Sequence, residues 1–170
     1  DGAPAVFFGI DPEDGKFFVA KKGIFNKNPK VYKSHADIDA DTSGDLSRKL
    51  KISFDNLQKL KLGGDVYQGD LMYTASDIKK ETIEGEKLIT FGPNTIVYAV
   101  PVDSDLGKEI AASNMGIIIH TKYSGGPTLQ DMSATFNIDV SGFGKVKGLW
   151  YQDAEYKDVS GSATLTSKET

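Results

Sequence analysis

Carboxylates, lysines and aromatics recur in this chain at spacings that invite chemical readings. Asp37-Ile38-Asp39-Ala40-Asp41 places carboxylates on alternate residues, as the start of a calcium loop does. Such a loop needs Gly at its sixth position and a bidentate Glu at its twelfth. Thr42 and Arg48 stand there instead, so an acidic helix-capping turn is the better reading. Gly142-Phe143-Gly144-Lys145 lacks both the glycine spacing and the Ser or Thr after the lysine that a phosphate loop uses. His35 and His120 are the only histidines and lie far apart in the chain, which gives little basis for a histidine metal site or a Ser-His pair. Trp150, Tyr151 and Tyr156 read as packing aromatics rather than a stacking platform. There are no cysteines, which excludes thiolate metal sites and disulfides and points to a reducing, cytoplasmic setting.

Another set of residues survives because of its order. Asp1-Gly2 is followed by the strand Phe7-Phe8-Gly9 and by Val19-Ala20-Lys21-Lys22-Gly23. Val66-Tyr67-Gln68-Gly69-Asp70-Leu71 comes later, then Thr95-Ile96-Val97-Tyr98-Ala99-Val100, then Met115-Gly116-Ile117-Ile118-Ile119-His120-Thr121-Lys122. This order resembles the adenylation domain of ATP-dependent DNA and RNA ligases and mRNA-capping enzymes. Over nearly its whole length the chain also resembles an uncharacterised group of tailed-phage, cyanophage-type proteins. In those, a Lys-Trp-Asp-Gly-Ala-Pro-Ala stretch precedes the same aromatic strand.

The ligase resemblance implies a specific chemistry. The first motif of that family, Lys-x-Asp-Gly, supplies an amine that attacks the α-phosphate of a nucleoside triphosphate, with a divalent metal neutralising the phosphate oxygens. If Asp1-Gly2 ends that motif, the nucleophilic lysine lies two residues before Asp1, and this fragment is inactive even if its parent is a polynucleotide ligase. The resemblance makes Asp1, Gly2, Lys21, Lys22, Asp70, Tyr98 and Lys122 contacts of ATP, with Asp70 meeting ribose or Mg2+ and Tyr98 stacking on the base. Met115 stands where the family's fourth motif has Glu, and Lys145 and Lys147 match its closing Lys-x-Lys poorly. The implied partners are a nucleotide and nucleic-acid ends, with no membrane. The alternative is a phage module that keeps the fold for binding or structure without catalysis, active in the infected host cell.

Charge is unevenly placed within a net −4. Lys21, Lys22, Lys27, Lys30 and Lys33 form a run without acids, and Asp37, Asp39, Asp41 and Asp45 follow. A local basic stretch in an acidic chain suits either phosphate binding at one place or a solvated loop.

The elements that must position these residues follow from pattern. The chain suits one domain, 1–170, and the turn chemistry of Asp1-Gly2 directly before a strand suggests a start inside a longer protein. Residues 5–9 and 16–21 flank Asp11-Pro12-Glu13-Asp14-Gly15 and predict a hairpin. Leu46, Leu50, Phe54, Leu57 and Leu60 predict one long helix over 45–61, capped by Ser43 and ended by Gly63-Gly64. Leu106 and Ile110 predict a short helix over 103–113. Strands are expected over 65–74, with a Gly-Asp interruption, and over 79–83, 87–91, 95–102, 115–123, 132–140, 146–152 and 162–166. The strand over 95–102 is expected to be central. The longest apolar run, Ile117-Ile118-Ile119, is far short of the ~20 residues of a membrane span. The expected class is α+β, mainly antiparallel sheets with one long and one short helix, in a ligase-type nucleotidyltransferase-like domain.

Overall fold

A computed structural model describes residues 5–21, 30–92, 97–136, 138 and 140–153. The class is α+β with largely antiparallel sheets. β1 (Ala5–Ile10) and β2 (Phe17–Ala20) form the expected hairpin. Asp11 sets the turn, its carboxylate accepting from the Glu13 amide at 3.0 Å.

Two helices follow where one was expected. α1 (His35–Asp41) is built from the alternating aspartates, with the Ser34 hydroxyl accepting from the Asp37 amide at 3.1 Å. The acidic turn is thus itself a helix, anchored by the fully buried Ile38. α2 (Gly44–Leu57) takes the predicted long helix but stops at Leu57, and Leu60 is buried from the turn that follows. Leu50 and Leu57 face the core while Leu46 is exposed. α3 (Asp105–Ala111) matches the short helix, capped by Ser104.

β3 (Val66–Thr74) and β7 (Met115–Ser124) make the centre of the larger sheet. Its order is β2-β1-β3-β7-β8, and β8 (Ser133–Phe136) is a short exposed edge where a longer strand was expected. β9 (Leu149–Asp153) pairs with the first half of β7 in parallel, a departure from the antiparallel expectation. The other sheet is the hairpin β4 (Lys79–Ile83) and β5 (Glu86–Phe91) plus β6 (Tyr98–Pro101), in the order β4-β5-β6. Tyr98 therefore lies on an edge strand, not the central one, because β5 pairs on both sides. Residues 162–166 and Tyr156 lie outside the described residues.

The larger sheet has two differently clothed faces. Val6, Phe8, Tyr67, Leu71, Met115, Ile117 and Ile119 pack with Ile38 of α1 and Leu50 and Leu57 of α2. The opposite face carries Met72, Tyr73 and Ile118, which pack with Ile89, Phe91, Tyr98 and Val100 of the smaller sheet and Ile110 of α3. Farther along that face, Phe7, Phe18 and Val66 pack on Leu129.

Two bulges break the β3–β7 ladder. Gln68 faces Thr121 but Gly69 faces Ile119, so His120 is extra on β7. Leu71 faces Ile117 but Tyr73 faces Gly116, so Met72 is extra on β3, and the register is restored. The Gly-Asp interruption read from the sequence is this irregularity, although the extra residue sits on the neighbouring strand. Gly69 is needed for close approach, since a Cβ there would lie 2.7 Å from the Ile118 carbonyl oxygen.

Candidate functional site

Asp70 lies mid-sheet, paired with Ala5 of β1 on one side and Ile118 of β7 on the other. Its carboxylate, 41 % exposed, sits 3.4 Å from Nε2 of His120, and Nδ1 of that ring is 2.7 Å from the hydroxyl of the buried Thr121. The bulge turns His120 onto the same face as Asp70, a juxtaposition the sequence reading missed. It could have been found only by knowing that β3 and β7 pair. Asp70 and His120 do not by themselves make a metal centre, and no group of three or more His, Asp or Glu suited to a metal exists among the described residues.

Lys122 falls elsewhere. It pairs with Tyr67, whose ring packs in the helix-facing core, so it shares that face rather than the face of Asp70. Lys21 follows β2, and its charge lies close enough to Asp41 of α1 to help hold that carboxyl below its ordinary value. Tyr98 is buried, stacked on Phe91 at 5.4 Å and 21°. Asp1, Gly2 and Lys22 lie outside the described residues. Met115 is fully buried among the helix-facing side chains, and Gly116 lies beneath the ring of Tyr73. Lys145 lines a separate recess of about 290 Å³ with Glu109, Trp150 and Asp153.

The lysine run is largely neutralised where it is described. Lys30 pairs with Asp41 at 3.0 Å, and Lys33 pairs with Asp11 at 3.0 Å and with Asp14. Burial opposes the Lys33 charge, but the hydrogen bonds to Asp14 and Asp11 outweigh it and raise its pKa. Tyr32 donates to Asp41, and this hydrogen bond, ahead of the one from Lys30, lowers the carboxyl's pKa.

Charged and polar side chains also gather around a cavity next to β3. Beyond the Ala5–Asp70 pair, Leu71, Met72 and Tyr73 of β3 border a cavity of about 440 Å³. Lys49 of α2, Ser76 and Asp77 of the short 3-10 turn after β3, and Lys79, Glu81, Thr90 and Phe91 of the β4–β5 hairpin complete most of its wall. Two ammonium groups, two carboxylates, hydroxyls and two aromatic residues therefore line a space sized for a small molecule. Lys49 is 3.1 Å from Asp45, whereas Lys79 and Glu81 have no ion-pair partner among the described residues. None of these wall residues was singled out by sequence, because they come from elements that neither motif spacing nor periodicity connects.

No helix is long and apolar enough to cross a membrane among the described residues. Comparison with curated proteins and with solved structures finds no match. The profile of DUF6267, a family of unknown function, matches residues 1–170, and the chain belongs to that family.

Proposed function

We propose that this chain is a nucleotide-binding domain of the ligase-like nucleotidyltransferase kind, taking ATP into the cavity bordered by Leu71, Met72 and Tyr73, the residues that follow Asp70 on β3. The observation that carries this reading is the adjacency of its motif strands. The strand after Asp1-Gly2, the Gly69-Asp70 strand and the Gly116–Lys122 strand are neighbours, with Ala5, Asp70 and Ile118 level across them. The cavity wall begins at Leu71, the residue after Asp70 in the chain, and offers lysines for phosphates. Asp70 is the ribose or metal contact. Magnesium commonly rests on one or two carboxylates plus substrate phosphates, and a single aspartate is compatible with that. In this reading the nucleophile is the lysine of the ligase family's Lys-x-Asp-Gly motif, and the acceptor is a nucleic-acid end.

The test is a longer protein that includes the upstream residues, incubated with α-labelled ATP and magnesium. An acid-labile protein–AMP adduct is expected, lost on Asp70→Ala. A folded protein that forms none rules out the catalytic reading.

A second reading, a non-catalytic binding or structural module of phage origin, is favoured by the full burial of Met115 where a metal-binding glutamate would be needed. It predicts nucleotide binding, or partner binding, without an adduct.

A further inference from the structure

Both histidines of this chain stand beside an aspartate, and the two pairs differ in geometry. Nε2 of His35 lies 2.7 Å from Asp55, an ordinary hydrogen bond between exposed side chains. Nε2 of His120 lies 3.4 Å from Oδ1 of Asp70 and forms no hydrogen bond with it. No lysine or arginine among the described residues pairs with Asp70 either. Ligand bonds of ~2.0–2.2 Å at the ~109° angle of a tetrahedron put nitrogen and oxygen ligands ~3.4 Å apart. The ~90° angle of an octahedron puts them ~2.9 Å apart. The His120–Asp70 separation is the tetrahedral one. On the far side of the ring, Nδ1 is 2.7 Å from the hydroxyl of Thr121, which is 2 % exposed. A metal-bound imidazole almost always donates its other N–H to such an outer partner, which fixes the ring and its tautomer. With that proton on Nδ1, Nε2 keeps its lone pair, and two acceptors stand together with no proton to share. Both side chains are partly open to solvent, so further ligands can reach a cation held between them.

We propose that Asp70 and His120 are two ligands of a tetrahedral divalent transition metal of the zinc class, with Thr121 orienting the imidazole. Water or an anionic group of a substrate fills the other two positions. The bulge in β7 supplies the second ligand, since His120 is the residue it adds to the strand. Imidazole nitrogen suits zinc and its neighbours, whereas magnesium takes oxygen ligands in near-octahedral geometry. The site therefore differs from the magnesium contact given above to Asp70 alone, and it does not depend on nucleotide binding.

The test titrates Co2+, a spectroscopic stand-in for zinc, into the untagged chain with no nucleotide present. A saturable visible absorption of tetrahedral strength is expected at one equivalent, abolished by Zn2+ and unmoved by excess Mg2+. Thr121→Val should weaken binding about tenfold, the lower end for losing an outer partner, and His120→Ala and Asp70→Asn by more. His35→Ala should change nothing. No saturable binding, a weak octahedral spectrum, or binding that survives His120→Ala in a protein shown to be folded by a thermal melt overturns the site. His120→Gln takes the place of the alanine variant if that one does not fold. Loss of binding in a folded His35→Ala also overturns it, by moving the metal to the His35–Asp55 pair. Because no nucleotide is present, any of these failures leaves the nucleotide reading standing.

Discussion

The ring of Tyr73 covers Gly116 so closely that a Cβ at position 116 would lie 2.2 Å from its Cε2 atom. Tyr73 is 1 % exposed, shares a 2.6 Å hydrogen bond with Ser113 and packs between Phe91 and Trp150. It therefore has no room to retreat. The glycine that the ligase resemblance assigns to a motif has a packing role sufficient to explain it.

Gly116→Ala is expected to destabilise the protein by about 1–3 kcal/mol, the usual cost of overpacking a filled core. Denaturant unfolding measures it. Adding Tyr73→Ala should make the glycine substitution nearly free, a strongly non-additive pair. Additive effects would show that the ring moves aside.

Tyr98→Ala should cost about 3–5 kcal/mol of stability, as for other large buried aromatics. Tyr98→Phe should leave ATP affinity within a few-fold of the unaltered protein, because the ring is buried against Phe91. A large loss of ATP binding in a stable Tyr98→Phe would instead assign the hydroxyl to the ligand.

Asp70 and Lys122 occupy opposite faces of the sheet and should separate in binding experiments. Asp70→Ala is expected to weaken ATP binding about tenfold or more, since contacts of a charged group are worth roughly 1.5–3 kcal/mol. Lys122→Ala should leave it unchanged. Equal losses in folded variants would mean that the ligand reaches around the sheet.

Acid should weaken the hairpin and helix ties in one window. Asp14, Asp39, Asp41 and Asp45 all have lowered pKa values, chiefly through hydrogen bonds from Lys33, Lys51, Tyr32 and Arg48 respectively. For a depressed carboxyl the stabilisation is present above its unfolded value of ~3.9 and fades as pH falls through the lower folded value. Stability should therefore be flat from neutrality to about pH 5 with respect to these groups and fall below ~3.9. Lys33→Ala should reduce that fall by removing the main partner of Asp14. Thermal melts across pH test both statements.

Much of the fold was legible because it rests on local pattern. The spacing of Leu50 and Leu57 marked α2, Leu106 and Ile110 marked α3, and the strand runs over 79–83 and 87–91 marked the β4–β5 hairpin. α1 was hidden because, among its five acidic and small residues, it carries only one buried apolar side chain, Ile38, too few for a period. β6 looked central because Tyr98, Ala99 and Val100 are all buried, but their cover comes from the opposing sheet and not from a strand on each side. At the site, Gly69-Asp70 could be picked out by type. The cavity wall could not, since Lys49 and Glu81 meet only through tertiary packing of α2 and the hairpin around the end of β3.

The bulge at His120 also bears on how this face can evolve. Gln68–Thr121 and Gly69–Ile119 would become adjacent rungs of a regular ladder if His120 were simply deleted, and every other side chain would keep its face. The imidazole beside Asp70 is thus an insertion into the sheet rather than a replacement within it. Chemistry can be added to or withdrawn from this surface by one codon, without repacking either core.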